Sequence, residues 1–269
     1  MRGITIVCAA AALVAGLSTC APTARGQHVH ELAYVATLSG AAEFPPTGSP
    51  AVGFAQVQID FVFFAMRVKV NLQGLSGAVT EAHIHGLTEE PLFGYAGAVT
   101  QVPTLPSFPT GVTTVAYDQT FSLALESSYD PDFVIASGGT VSLASQALFA
   151  GLASGQTYLD VHTTAFGGGE VRGFLLPVPP ADFDFDGVVG ASDLDVLKDS
   201  YAIEHHGDAT GDGLTNGDDF LVWQRQLGAV ASLGGGHGGH VTSVPEPDSL
   251  LLALSTALLA RYVARRRTR

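Results

Sequence analysis

Cysteine is almost missing from this chain: Cys8 and Cys20 are the only two, and both stand near the start. If that stretch is removed no disulfide can form, so the fold must be held by its core, with help from metal ions, in an oxidising compartment. Basic residues are scarce as well, 12 against 25 acidic ones. Arg2 and Arg25 lie near the beginning and five arginines lie in the tail, leaving Arg67, Lys69, Arg172, Lys198 and Arg225 for everything between. The body therefore carries a charge of about −20, which argues against nucleic acid as a partner and favours cations and basic or neutral surfaces. Long apolar runs are confined to the two ends.

The first of these, Ile4 to Leu17, is too short to span a bilayer comfortably and ends in small and polar residues. It reads as a secretory signal over residues 1–26, with the small residues Ala24 and Gly26 directing cleavage before Gln27. Leu17-Ser18-Thr19-Cys20 offers a competing lipoprotein-type cut before Cys20. The other end has Val244-Pro245-Glu246-Pro247, an apolar stretch from Leu250 to Val263, and Arg265-Arg266-Arg267-Thr268-Arg269. A marginal C-terminal transmembrane helix capped by arginines should stop with those arginines in the cytoplasm. The order of parts over residues 244–269 closely resembles the PEP-CTERM sorting signal of exported bacterial proteins. That resemblance implies processing by an exosortase at Pro245, Glu246 and Pro247, and a location at the cell envelope or surface. An ordinary membrane anchor is the alternative, with the same topology.

Residues 28–177 suffice for one compact domain. Runs such as Phe54-Ala55-Gln56-Val57-Gln58-Ile59 and Met66-Arg67-Val68-Lys69-Val70-Asn71-Leu72 alternate with period two between Gly, Pro and Ser clusters. They read as strands with one buried face, and their number predicts an antiparallel β-sandwich or barrel. One helix is expected at Ser142 to Leu152, capped by Ser142 and ended by Gly155. Pro103, Pro106 and Pro109 mark an extended loop.

Three blocks then carry a resemblance: Leu38-Ser39-Gly40-Ala41-Ala42-Glu43-Phe44-Pro45-Pro46, the stretch Gly74 to Gly86 with His83-Ile84-His85, and Tyr158-Leu159-Asp160-Val161-His162-Thr163 followed by Gly168-Gly169-Glu170-Val171-Arg172-Gly173. Together they are similar to the CHRD domain, the module named from chordin. The resemblance implies a non-enzymatic binding or scaffold role, since the animal members belong to proteins that bind secreted growth factors. The ligand here, an extracellular protein or a glycan, stays unnamed. Residues Leu87 to Ser137 depart from the compact bacterial pattern as a long insertion, where a ligand-specific surface could lie.

His83 and His85 stand two apart on an expected strand, so both project from one face. His162 lies on a later strand, near Glu170 and Arg172. Such neutral imidazoles suit zinc or copper, with Glu170 orienting one of them. The blander assignment, which the sequence favours, is that the histidines bond the glycine-rich turns while Glu170 pairs with Arg172 or another strand. A redox enzyme on this β-domain is a more distant alternative.

Downstream, Asp182, Asp184, Asp186 and Asp193 occupy positions 1, 3, 5 and 12 of a calcium loop, with Gly187 at the turn and the Val188 carbonyl at position 7. A second loop repeats the spacing with Asp208, Thr210, Asp212, Leu214 and Asp219, and Asn216 at position 9. Two calcium ions are expected, the second held more weakly because Thr210 removes a charge. A short helical pattern follows each loop, at 194–201 and 220–227. The duplicated unit, residues 182–228, resembles a type I dockerin. That implies a cohesin-like partner and, by association, an accessory role in polysaccharide breakdown. Ala191-Ser192 and Gly217-Asp218, at the positions such modules use for recognition, lack the frequent Ser-Thr pair, which puts that partner in doubt. Leu194, Leu197, Phe220, Leu221 and Trp223 should build a small core. Residues 229–243, rich in Gly with His237 and His240, read as a flexible spacer.

The sequence thus predicts an exported, envelope-anchored binding or scaffold protein that is mainly β, with a small α-helical paired calcium-loop module and no catalytic domain.

Overall fold

The computed structural model describes residues 31–202 and 206–233. The signal segment, with Cys20 and the cleavage site, lies outside them, as do His237 and His240, the sorting motif Pro245-Glu246-Pro247 and the expected transmembrane helix. Among the described residues no helix is long and apolar enough to cross a membrane.

Eight strands form one antiparallel sheet: β1 Glu31–Ser39, β2 Val52–Asp60, β3 Ala65–Gln73, β4 Val79–His85, β5 Val115–Ser122, β6 Tyr158–Thr163, β7 Val171–Phe174 and β8 Leu176–Pro177. Their order is β4-β6-β7-β1-β2-β3-β5, with β8 paired to β1. The sheet curls into a half-barrel. Period-two alternation sets what faces inward: on β3, Met66, Val68, Val70 and Leu72 are buried while Arg67 and Lys69 point out. Tyr34, Ala36 and Leu38 of β1, Ala82 and Ile84 of β4, and Leu159 and Val161 of β6 join the same core.

Among the described residues no second sheet closes this core. Helix α2, Val141–Ser154, packs Ala144, Leu148 and Leu152 into it, and α1, Pro131–Ala136, adds Phe133 and Val134. The expected sandwich or barrel is therefore a single curled sheet closed by helices and loops. Helix α2 begins one residue earlier than the sequence indicated and its cap lies two earlier, because the Thr140 side chain accepts from Leu143 N and takes the capping role given to Ser142. Gly155, at φ 68°, ends it as expected.

The stretch read as an insertion is part of the domain. It contains β5, which pairs with β3 along its whole length, and α1. Its proline-rich part runs along the free edge of β4: Val99 N donates to Ile84 O at 2.8 Å, Leu105 N to Ala82 O at 2.9 Å and Gly111 N to Val79 O at 2.8 Å. A sheet edge that would otherwise be open is thereby covered.

The second unit follows directly. Helix α3, Ala191–Ser200, and helix α4, Gly217–Gln226, each follow a loop and enclose Ala181, Phe183, Val189, Leu197, Ala209 and Trp223. Leu194 is only partly buried against this core, and Phe220 and Leu221 are exposed, so three of the five expected core residues lie on its rim. Trp223 Nε1 donates to Gly190 O at 2.9 Å, joining α4 to the first loop. Residues 229–231, read from sequence as the start of the spacer, instead pair with that loop, through the Val188–Val230 bridge and Ala231 N to Gly187 O at 2.9 Å. Gln56 Nε2 donates to Phe185 O at 2.5 Å, tying the unit to the sheet.

Candidate functional site

Register decides what stands on the outer face of β4, β6 and β7. Glu81 lies opposite His162, His83 opposite Asp160 and His85 opposite Tyr158, while on the far side Asp160 pairs with Arg172 and Tyr158 with Phe174. The apolar residues between them point the other way, into the core, so the polar residues share one face. The segment that continues from β4 folds over this face and buries it.

The structure brings His83, His85 and His162 together. Their ring centroids are 5.5 to 5.7 Å apart, and one nitrogen of each lies within 4.8 Å of the others. The opposite nitrogen of each ring meets a backbone carbonyl. His83 Nε2 is 2.8 Å from Pro103 O, His85 Nδ1 3.0 Å from Ala96 O, and His162 Nδ1 3.2 Å from Gly167 O. The inner nitrogens, His83 Nδ1, His85 Nε2 and His162 Nε2, are buried without a protein partner. Burial lowers the pKa of all three rings, that of His85 to about 4. The imidazoles are thus neutral at physiological pH.

Glu170 turns neither to a histidine nor to Arg172 but to another strand, β6, through Thr163. Its carboxylate accepts from Ser49 Oγ, Ser76 N and Thr163 Oγ1, each at 2.6 Å, and from Gly77 N at 3.3 Å. Burial opposes its charge, but these bonds hold its carboxyl below the usual range. Arg172 turns instead to Glu43, 3.9 Å from its Nε, to Ala42 O at 2.6 Å and to Gly94 O at 2.9 Å, and its guanidinium lies 4.6 Å from the Tyr158 ring centre. Asp160 is pushed up to about 9 by burial and by the neighbouring Glu43 carboxylate. Sequence reasoning missed the Glu43–Asp160–Arg172 group. Its only trace was the presence of all three residues in the resembling blocks.

In the first paired loop, Asp182, Asp184 and Asp193 gather into a group that could hold a metal ion. Asp182 accepts from Asp186 N at 3.1 Å and Gly187 N at 2.9 Å, and Asp193 accepts from Phe183 N at 2.6 Å and Gly190 N at 2.6 Å. The backbone thus fixes the carboxylates before any ion arrives. Burial, with the neighbouring carboxylates of Asp193, Asp186 and Asp184, raises Asp182 to about 7 despite the Gly187 bond. An oxygen-only donor set under such repulsion fits a hard divalent cation. Asp186 stands outside the group, its Oδ1 accepting from Val188 N at 2.8 Å.

The second loop repeats the scaffold. Asp208 accepts from Gly211 N and Gly213 N, each at 2.7 Å, Asp219 accepts from Thr210 N at 2.9 Å, and Asp212 accepts from Leu214 N at 2.9 Å. Thr210 Oγ1 lies 3.2 Å from Asp208 Oδ1 and 2.9 Å from Asp219 Oδ1, standing between the two carboxylates. Among the described residues this loop forms no group of three acidic ligands.

A family model of the CHRD domain matches residues 34–175, more than half of the chain. The chain belongs to the CHRD domain family. The match runs from β1 to the end of β7, so the CHRD domain comprises the curled sheet, its helices and the histidine face. A model of the PEP-CTERM protein-sorting motif matches residues 243–267, which implies export, anchoring at the cell surface and processing by an exosortase. Neither match covers the paired loops. No curated protein sequence matches the chain.

Proposed function

We propose that this CHRD protein is a non-enzymatic binding or scaffold protein of the cell surface, and that the paired loops are its calcium-ordered docking module. The observation that carries this reading is the Asp182–Asp184–Asp193 group, built by backbone donors into a site for a hard cation. The loop spacing and the helix after each loop resemble a dockerin. An apolar groove of about 470 Å³ between α3 and α4, lined by Leu194, Leu197, Tyr201 and Phe220, offers such a module a surface for a partner of the cohesin type. Calcium in both loops would fix the two helices and hence the groove.

Two carboxylates placed for glycoside hydrolysis would favour the enzymatic alternative. The buried carboxyl pair of the CHRD domain, Glu43 and Asp160, is instead occupied by Arg172 and closed off from solvent. An accessory role in polysaccharide breakdown accordingly rests on the dockerin likeness alone. The test is affinity capture from envelope extracts with calcium and with chelator, together with a reducing-sugar assay on mixed polysaccharides. A partner retained only with calcium and lost in Asp182→Asn, without sugar release, is the expected result. Sugar release by the purified protein would overturn it.

A further inference from the structure

Each of the three histidines has one ring nitrogen against a backbone carbonyl, and a carbonyl can only accept. In a neutral ring that nitrogen must carry the proton. The proton positions follow from this hydrogen-bond pattern. His83 Nδ1, His85 Nε2 and His162 Nε2 are then bare lone pairs, buried without a partner, in a cluster where one nitrogen of each ring lies within 4.8 Å of the others. They cannot satisfy each other, because all three are acceptors. One water has two protons, too few for three acceptors. Protonating a ring would place a charge at a nitrogen cut off from solvent and without an acceptor. A single cation that accepts electron pairs satisfies all three at once.

We propose that His83, His85 and His162 form a three-imidazole site for a zinc or copper ion within the CHRD domain. The donor set selects the class: imidazole nitrogen suits zinc and copper, whereas calcium and magnesium require oxygen. The carbonyls of Pro103, Ala96 and Gly167 hold the outer nitrogens and so orient each ligand, the usual arrangement behind metal-bound histidine. Two of those carbonyls come from the segment that follows β4, so an ion in the site would lock that segment onto the sheet. Drawing the three nitrogens onto an ion at about 2.0–2.1 Å requires each to move by under about 1 Å. Asp160 Oδ1, also without a protein partner and 4.0 Å from His162 Nε2, places an oxygen beside the cluster.

This site is independent of the calcium loops and is tested on the full-length chain, purified in detergent without an added histidine tag and stripped with chelator. His28, His30, His205, His206, His237 and His240 are replaced by alanine throughout, so that only His83, His85 and His162 report. The chain is then equilibrated with zinc or with copper against a competing chelator and analysed for metal. One equivalent should remain, with X-ray absorption showing nitrogen ligands at about 2.0 Å. His83→Ala with His85→Ala should abolish retention, and His162→Asn, a milder change that guards against misfolding of the double variant, should weaken it at least tenfold. No retained ion, retention unchanged by His162→Asn, or an oxygen-only shell would each overturn the proposal.

Discussion

His85 lies flat against Tyr158, ring centroids 5.1 Å apart and planes 9° from parallel, and both side chains reach the same residue, Ala96. Tyr158 Oη accepts from Ala96 N at 3.1 Å and lies 3.2 Å from Ala96 O, to which His85 Nδ1 also reaches. One hydroxyl thus pins the segment after β4 over the histidine face. Tyr158→Phe keeps the stack and removes the pin. It should lower stability by about 1 kcal/mol, since a half-buried N–H loses its acceptor. Denaturant unfolding should show this loss together with faster amide exchange around residues 94–98.

Glu170 makes stability depend on acid. Its folded pKa lies below the unfolded value of about 4.3, so the unfolded chain binds more protons and stability rises with pH through that window. The contribution is complete above the unfolded value and is lost as pH falls through the folded one. Glu170→Gln should cost about 1–3 kcal/mol at neutral pH and flatten the acid limb of the curve, measured by urea unfolding from pH 7 downward. A variant with the parent's acid limb would contradict the assignment.

Gly173 on β7 is held by a close approach. A Cβ there would lie 2.3 Å from Thr37 O and 3.1 Å from Ala36 Cβ on the neighbouring strand. Alanine normally favours a strand over glycine, but Gly173→Ala must push β1 and β7 apart and should destabilise by about 1–3 kcal/mol, read as a lowered midpoint in denaturant.

The unequal loops make an ordered prediction. Thr210→Asp supplies the charge that the second loop lacks and should tighten its calcium binding on the order of tenfold. Asp182→Asn should weaken the first site while sparing the second. Calorimetric titration of the two variants against the parent separates these effects.

Much of this was legible in sequence, for identifiable reasons. Period-two runs such as Met66 to Leu72 revealed strands because one face is buried, and the spacing of His83 and His85 placed them on one face. The loop residues follow a fixed local pattern, so Asp182, Asp184 and Asp193 could be placed together without a fold. Apart from the meeting of His162 with His83 and His85, long-range pairing was not legible. Strand β5 was hidden in a segment read as an insertion, since only its register against β3 makes it structural. The bonds of Glu170 to Ser49 and Ser76 went unread because those donors come from distant points of the chain. The absence of a second sheet was equally invisible, because inward-facing residues alternate in the same way whether the facing layer is strand or helix.

The central claim, that calcium orders the docking module of a sheet that does not need calcium, is tested most directly by hydrogen exchange on the full-length chain with calcium and with chelator. Removing calcium leaves the carboxylates of each loop repelling one another around a core of few residues, so the module should open. Peptides covering 182–200 and 208–227 are expected to lose protection in chelator, while those covering β2 and β3 keep theirs. Equal protection of the 182–227 peptides in both conditions would contradict the account.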